Sequence, residues 1–172
     1  TLMKIDAGID TGPVLAETST LIAPYETGGS LTARLSHLGA SLIDTALTEY
    51  LNNRRRPVPQ ISSGVTHARR LTKGDAQIRK EWTAEAAERA IRAYQPRPTA
   101  WIATPKGTVR IHSASPTSER GTPGEIQLVG SHVIAGFASG ALKLGTVQPE
   151  GRPRVDAPAW MHGLRGEPVS FQ

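Results

Sequence analysis

The sequence predicts an α/β fragment followed by a β-rich open barrel domain. Short strand-like runs and one long amphipathic stretch fill residues 1–53, whereas residues 73–172 contain several short strand candidates separated by Gly or Pro turns. Residues 54–72 are rich in Pro, Gly and Ser and lack sustained periodicity. We therefore expect two folding units joined by a linker.

The first unit begins with strand candidates at residues 2–5 and 14–18, with a further strand-like run at Leu21-Ile22. Ser30 is a good N-cap for a helix of about twenty residues ending before Pro57, in which Leu and Ala recur at three- and four-residue steps. A strand pair and one helix cannot close a core, because every apolar face needs another layer. We expect those layers upstream of Thr1.

The second unit opens with a short helix. Thr83 is its expected N-cap, and Pro96 and Pro98 stop it. The strand candidates that follow are residues 101–103, 108–111, 126–129, 132–135 and 141–144. Five to six short strands after one helix favour a small barrel, and an open Greek-key barrel is one type that binds nucleic acid.

Charge is distributed unevenly along the 172 residues, which carry a net charge of +5. Residues 1–53 hold two basic and six acidic side chains, residues 54–72 five and none, and residues 73–172 thirteen and nine. A polyanion bound by the middle and C-terminal parts would explain this distribution, although a basic surface often serves only solubility.

Composition excludes several classes of protein. Without cysteine the chain has no disulfide, no thiolate metal site and no cysteine nucleophile, and cytoplasmic residence is the simplest interpretation. No apolar run approaches the roughly 20 residues of a membrane-spanning helix, so we expect no membrane association. The five histidines are scattered without ligand spacing, so no metal site is expected.

Two carboxylates are the candidates for chemistry. Asp6 and Asp10 lie four residues apart in a glycine-containing loop after a strand, which suggests acid/base work. Aspartate is also common in turns because its side chain bonds nearby backbone amides, and spacing alone does not separate the two interpretations. Gly28-Gly29-Ser30 lacks a phosphate-binding motif and is interpreted as helix entry.

Two segments resemble a known family. Residues 4–13, KIDAGIDTGP, are similar to the D-x-G-x-D-T-G-P segment of folate-dependent formyltransferases. Residues 90–101, AIRAYQPRPTAW, resemble the start of the C-terminal domain shared by the methionyl-tRNA formyltransferase family. Agreement continues through residues 122–126 and 142–151, so the resemblance covers nearly the whole chain.

The resemblance implies an enzyme that transfers a formyl group from 10-formyltetrahydrofolate to the amino group of methionyl initiator tRNA for translation initiation. It implies that residues 1–53 end a Rossmann-like catalytic domain, in which Asp10 is the catalytic aspartate. Asp6, Ala7, Gly8 and Ile9 would form part of the wall that receives the folate. The family's catalytic Asn and His match no residue here, so the chain is expected to be incomplete as an enzyme and monomeric when complete.

The resemblance also implies that the linker and a barrel like an oligonucleotide-binding fold face the tRNA. Arg69, Arg70 and Lys73 are the expected phosphate contacts, with Arg110 and Lys143 as further candidates in the barrel.

Alternatives remain open within and outside the enzyme class. Sugar-nucleotide formyltransferases and formyltetrahydrofolate dehydrogenase share this pair of domains, but the charged linker argues against both. A non-catalytic module that binds tRNA is the alternative of a different class.

Overall fold

The computed structural model describes residues 1–172, which form two compact units. Unit 1 comprises Thr1–Glu26 and Ser30–Arg70, and unit 2 comprises Thr27–Gly29 and Leu71–Gln172. Unit 1 is a mixed α/β arrangement, and unit 2 consists mainly of antiparallel strands. None of the helices has the length and apolar character required to cross a membrane.

Unit 1 contains a two-stranded antiparallel sheet and most of one long helix. Strand β1 (Leu2–Met3) pairs with β2 (Val14–Ala16), and helix α1 spans Gly28–Leu51. The start of the expected linker adds to this sheet, because the backbones of Val14 and Val58 exchange two hydrogen bonds of 2.8 Å. Arg55 also donates to the carbonyl of Leu15. Residues 54–58 therefore pack within unit 1.

Two local expectations for unit 1 are wrong. Leu21-Ile22 forms no strand, because no neighbouring strand supplies a ladder, and the Leu21 carbonyl instead accepts from Arg34. Ser30 is not the N-cap, because α1 begins two residues earlier, at Gly28. Gly28 and Gly29 belong to unit 2, in which the backbone N–H of Gly29 donates to the Gln95 carbonyl at 2.7 Å.

Unit 1 buries little apolar surface. Its buried hydrophobic side chains are Leu15, Ala16 and Ala46, and only one residue of the 24-residue helix is buried. Twelve of the fourteen exposed large hydrophobic residues lie in this unit, including Ile5, Ile9 and Leu21 at over 90% exposure. So small a buried set contributes little to stability, because apolar burial is the main favourable term in folding.

Unit 2 begins with a 3-10 turn, Gly74–Ala76, and helix α2, Ala84–Ala93. The expected N-cap is confirmed, since the Thr83 hydroxyl accepts from the backbone N–H of Ala86 at 3.2 Å. The helix buries Ala87 and Ile91 against the sheets.

Nine strands and a short helix complete unit 2. The strands are β3 (Trp101–Thr104), β4 (Gly107–Ile111), β5 (Ala114–Thr117), β6 (Glu125–Val129), β7 (His132–Gly136), β8 (Ala141–Leu144), β9 (Thr146–Pro149), β10 (Val155–Asp156) and β11 (Val169–Ser170), and helix α3 spans Ala157–Gly163. They form two antiparallel sheets in the orders β10-β9-β4-β3 and β11-β6-β7-β8-β5. No closed barrel forms.

The strand candidates at residues 101–103, 108–111, 126–129, 132–135 and 141–144 are confirmed, with shifts of one residue at some ends. Sequence reasoning missed β5, β9, β10, β11 and α3. β5 carries Pro116, and β10 and β11 have two residues each, too few for alternation to be recognised. Helix α3 does carry a signal, because Asp156 precedes it and Pro158 lies in its first turn.

Two strands change sheets at one shared corner. β4 continues into β5 through His112 and Ser113, and β8 continues into β9 through Gly145. The backbone N–H of Gly145 donates to the Ser113 carbonyl at 2.9 Å, and the N–H of Thr146 donates to the Ser113 hydroxyl at 2.9 Å. Because both crossings are bonded to each other, the two sheets enclose one core.

That core lies entirely in unit 2. Its fully buried large side chains include Phe137, Ile78, Ile102 and Leu142, and the rings of Phe137 and Phe171 meet edge to face at 5.5 Å. Side chains from both sheets and from α2 and α3 contribute to this cluster. Unit 2 therefore has the core that unit 1 lacks.

We predict that Gly145→Ala destabilises the chain by about 1–3 kcal/mol, because the added methyl would stand 2.5 Å from the Ser113 hydroxyl. Moving that hydroxyl would leave the N–H of Thr146 without its acceptor. Urea unfolding measures the change. Gly163→Ala is the matched control, since its methyl meets nothing within 4 Å, and equal stability of the two variants would contradict the role of the corner.

Candidate functional site

The loop that carries both candidate carboxylates connects β1 to β2 in unit 1. The backbone N–H of Lys4 donates to the Pro13 carbonyl at 3.0 Å, which closes the base of the loop. Gly12 is required there, because a Cβ would lie 1.7 Å from the Lys4 carbonyl oxygen. Residues 6–10 between these points are all exposed.

Asp6 organises the loop. Its Oδ1 accepts from the backbone N–H of Gly8 at 3.0 Å and from the Thr11 hydroxyl at 2.6 Å. A Cβ on Gly8 would clash with that hydroxyl, at 2.2 Å. These contacts form a side-chain turn of the kind that aspartate favours.

Asp10 is held in a different way. Its backbone is left-handed, with φ of 57°, a conformation uncommon for a residue with a side chain. The Gln60 side-chain amide donates to the carbonyls of Asp10 and Gly12 at 2.9 and 2.7 Å. No residue of the chain hydrogen-bonds to the Asp10 carboxylate, so the backbone is fixed while the charged group remains available.

Ala7, Gly8 and Ile9 lie together at the exposed part of the same loop. Ile9 is 92% exposed and therefore presents an apolar side chain one residue before the Asp10 carboxylate. An apolar side chain can bind a flat ring, and a carboxylate fixed beside it can accept or donate a proton near that ring.

The expected phosphate contacts fall in different places. Arg69 and Arg70 are the last residues of unit 1 and are exposed. Lys73 and Arg110 lie in unit 2 and line one groove, so the structure brings these two together. Lys143 lies half-buried on β8 in the five-stranded sheet, and it does not line this groove.

The groove runs over the outer face of the four-stranded sheet and has a volume of about 310 Å³. Trp101 pairs with Arg110 across β3 and β4, and Arg110 pairs with Gln148 across β4 and β9. Directly opposed residues share a face, so these three side chains form a row. Their neighbours Ile102 and Val109 are buried on the inner face.

His112 lies next to this surface and contacts Gln148. Its Nε2 lies 3.1 Å from Gln148 Oε1, an oxygen that can only accept. Burial holds the pKa of His112 below its ordinary value, and the positive charges of Arg154 and Arg110 lower that pKa further, against the hydrogen bond to Gln148, which raises it. The cationic imidazole is therefore disfavoured mainly because the ring is partly buried, and the two arginines add to this effect.

Glu150 is the acidic residue of the groove. Its Oε2 accepts from the backbone N–H and the hydroxyl of Thr108 at 3.0 and 3.1 Å. These two hydrogen bonds, that of the backbone first, lower the pKa of the Glu150 carboxyl. The carboxylate therefore serves to fix the turn after β9 onto β4.

A second cavity, of about 410 Å³, shares Thr108, Pro149 and Glu150 with the groove. It is mainly apolar, with Trp160 and Leu164 from the region of α3, and Lys106 and Arg152 also line it. No group of three or more His, Asp or Glu side chains is placed to hold a metal ion.

Sequence reasoning did not single out Trp101, Gln148 or His112 as site residues. Trp101 is the last residue of the segment 90–101 that resembles the family. Arg110 and Gln148 join it in one row only through the register of the strands. A local pattern carries no record of that register.

The family model described as the C-terminal domain of formyl transferases matches residues 70–165. The chain therefore belongs to the formyl transferase family. It is 34% identical to the methionyl-tRNA formyltransferase of Mycobacterium sp. (strain KMS), over 96% of this chain and 54% of that protein. It is 36% identical to that of Mycolicibacterium gilvum (strain PYR-GCK), over 98% and 56%. The chain thus spans about half the length of these curated relatives.

Solved structures share the fold. HypX from Aquifex aeolicus in complex with tetrahydrofolic acid has a TM-score of 0.73 at 16% identity, over 92% of this chain and 29% of that one. WlaRD, a sugar 3N-formyl transferase solved with dTDP and 5-N-formyl-THF, has a TM-score of 0.62 at 18% identity, over 88% and 54%. At these identities the likeness concerns the fold alone.

Proposed function

We propose that this chain is part of an enzyme that transfers a formyl group from 10-formyltetrahydrofolate to the amino group of methionyl initiator tRNA. The observation that carries the proposal is the 34–36% identity to methionyl-tRNA formyltransferases over nearly the whole chain. The enzyme would act in translation initiation in the cytoplasm, as a monomer when complete.

The two units suggest that catalysis and tRNA binding belong to different parts of the chain. We assign residues 1–53 to the end of a Rossmann-like catalytic domain, residues 54–72 to a basic linker, and residues 73–172 to a tRNA-binding domain. The many exposed apolar side chains of unit 1 support the first assignment. Such exposure is expected of part of a domain whose other packing layers lie elsewhere in a complete enzyme. The two sheets of unit 2 would correspond to an open barrel resembling an oligonucleotide-binding fold.

Asp10 is the residue that we assign to catalysis. Its left-handed backbone and the two bonds from Gln60 fix its position, and its carboxylate is exposed. Beside an imidazole supplied by the rest of a complete enzyme, the carboxylate would raise the imidazole pKa and favour its protonated form. The pair would then order water and assist proton transfer as the methionyl amine attacks the formyl carbon.

Asp6, Ala7, Gly8 and Ile9 are the residues that we assign to the formyl donor. The Asp6 carboxylate holds the turn, and a Cβ on Gly8 would clash with the Thr11 hydroxyl that bonds to Asp6. Ile9 offers an apolar surface for the pterin ring. The loop fits a planar heterocycle bound by its backbone and by one apolar side chain.

The basic residues would hold the tRNA. Arg69, Arg70, Lys73 and Arg110 are exposed, and Arg154 adds to the positive charge of the surface near Arg110. Lys143 is a weaker candidate, since it is half-buried in the other sheet. Cations of this kind position a polyanion through its phosphates and carry little sequence information.

We predict that Asp10→Asn in the complete enzyme lowers the rate of formyl transfer by about two to four orders of magnitude, the scale of acid/base assistance. The substitution removes the charge and keeps the shape, so folate binding should change much less. Single-turnover kinetics with charged initiator tRNA measure the rate.

Asp44→Asn is the matched control, because Asp44 is an exposed aspartate of α1 to which we assign no role. It should leave the rate unchanged. An Asp10→Asn enzyme within roughly threefold of the wild-type rate would make Asp10 a turn residue only.

We also predict that the affinity for tRNA falls with salt, and that alanine at Arg69, Arg70 and Lys73 reduces the log-log slope by about 0.7–0.9 per residue. Discrimination between initiator and elongator tRNA should survive, since phosphate contacts are not base-specific. Filter binding across a salt series measures both quantities.

Arg55→Ala is the control for this series. Its guanidinium already donates to Glu49 at 2.6 Å and to the Leu15 carbonyl, so its loss should change the slope little. An unchanged slope in the triple variant would mean that Arg69, Arg70 and Lys73 form only a solvated face.

A further inference from the structure

The outer face of β3, β4 and β9 combines an aromatic ring with cations. Trp101, Arg110 and Lys73 line the same groove, whose volume of about 310 Å³ is at the small end for ligand sites. Phosphate binding alone needs no aromatic side chain. The indole therefore calls for a separate explanation.

The indole is held in one orientation. Its Nε1–H donates to the Lys73 carbonyl at 2.7 Å, and Pro98 lines the groove beside it. The backbone of Trp101 is fixed as well, because its carbonyl accepts from the N–H of Ile78 at 2.8 Å. The ring is half-exposed, so a ligand in the groove reaches it without rearrangement.

The cations of the groove are available to a ligand. Lys73 and Arg110 are exposed and form no salt bridge, although the charge of Arg110 contributes to the lowered pKa of Glu150. Arg154 lies near enough to this face to lower the pKa of His112 together with Arg110, after the larger effect of burial. The carboxylate that faces the groove, that of Glu150, is engaged by Thr108.

The polar groups along the row are also fixed. The Gln148 amide nitrogen donates to the Arg152 carbonyl at 3.0 Å, while its oxygen faces His112. The groove thus presents one stacking surface, two exposed cations and a fixed amide. Sites with these parts bind single-stranded nucleic acid, in which the bases are open to stacking.

We propose that this groove binds one unpaired nucleotide of an RNA, with its base stacked on Trp101 and its phosphate bound by Arg110 and Lys73. This inference rests on the proposed function and deepens it, because it specifies unpaired RNA as the ligand that unit 2 binds. A base inside a duplex offers no free face to an indole, so stacking selects single-stranded segments.

The test compares two RNA probes on the 172-residue chain by fluorescence anisotropy. One probe is a short labelled oligouridylate and the other a blunt RNA duplex. Trp101→Ala should weaken binding of the oligouridylate by about 5- to 100-fold, the scale of one base stacked on an aromatic ring, and leave the duplex unchanged. Trp101→Phe keeps an aromatic face and should retain most of the affinity.

Salt dependence separates stacking from phosphate contact. Arg110→Ala should reduce the slope for single strands by about 0.7, whereas Trp101→Ala should lower affinity at every salt concentration with the slope unchanged. Tyr25→Ala is the matched control, because Tyr25 is an aromatic residue of unit 1 with 87% exposure and lies outside the groove.

A second measurement keeps the test valid if Trp101→Ala unfolds. In a chain with Trp82→Phe and Trp160→Phe, Trp101 is the remaining tryptophan, and its fluorescence should be quenched when oligouridylate binds. Absence of quenching at saturation would overturn the stacking site, as would equal loss of both probes in a folded Trp101→Ala variant. A wild-type chain that binds neither probe would instead contradict RNA binding in the proposed function.

Discussion

The fold of unit 2 depends on the corner where two strands change sheets together. Gly145 and Thr146 bond to Ser113 through backbone and hydroxyl groups, so β4–β5 and β8–β9 turn at the same point. This fixes the register between β4 and β9, in which Ile111 faces Val147 inside and Arg110 faces Gln148 outside. The buried core and the outer row are therefore two consequences of one register.

The sequence predicts where the strands lie better than it predicts how they pair in the sheets. Alternation located β3, β4, β6, β7 and β8, because apolar residues facing the core recur along each strand. The groove was not predictable. Trp101 and Arg110 lie on consecutive strands, but Gln148 comes much later in the sequence, and the three meet only through cross-strand pairing. Lys73 and Arg110 were both proposed as phosphate contacts from their charge and from the family resemblance, without any indication that they share a groove.

The two aspartates show the same limit on a smaller scale. They lie four residues apart in one loop, and residue type and spacing alone do not distinguish their roles. In the structure the Asp6 carboxylate is used by Gly8 and Thr11, whereas the Asp10 carboxylate is bonded to no residue of the chain and its backbone is left-handed. A loop in which one carboxylate holds the turn and the next is free suits a catalytic assignment for Asp10.

The proposed RNA-binding surface of unit 2 is the outer row of the four-stranded sheet. A titration of the ¹⁵N-labelled chain with initiator tRNA, followed by NMR, tests it directly, because the indole N–H of Trp101 has its own resonance. The indole resonance of Trp101 and the backbone amide resonances of Lys73, Arg110 and Gln148 should shift together. The chemical shift of the Trp82 indole N–H should not change. Shifts confined to β8 around Lys143, with the Trp101 resonance unmoved, would contradict the account.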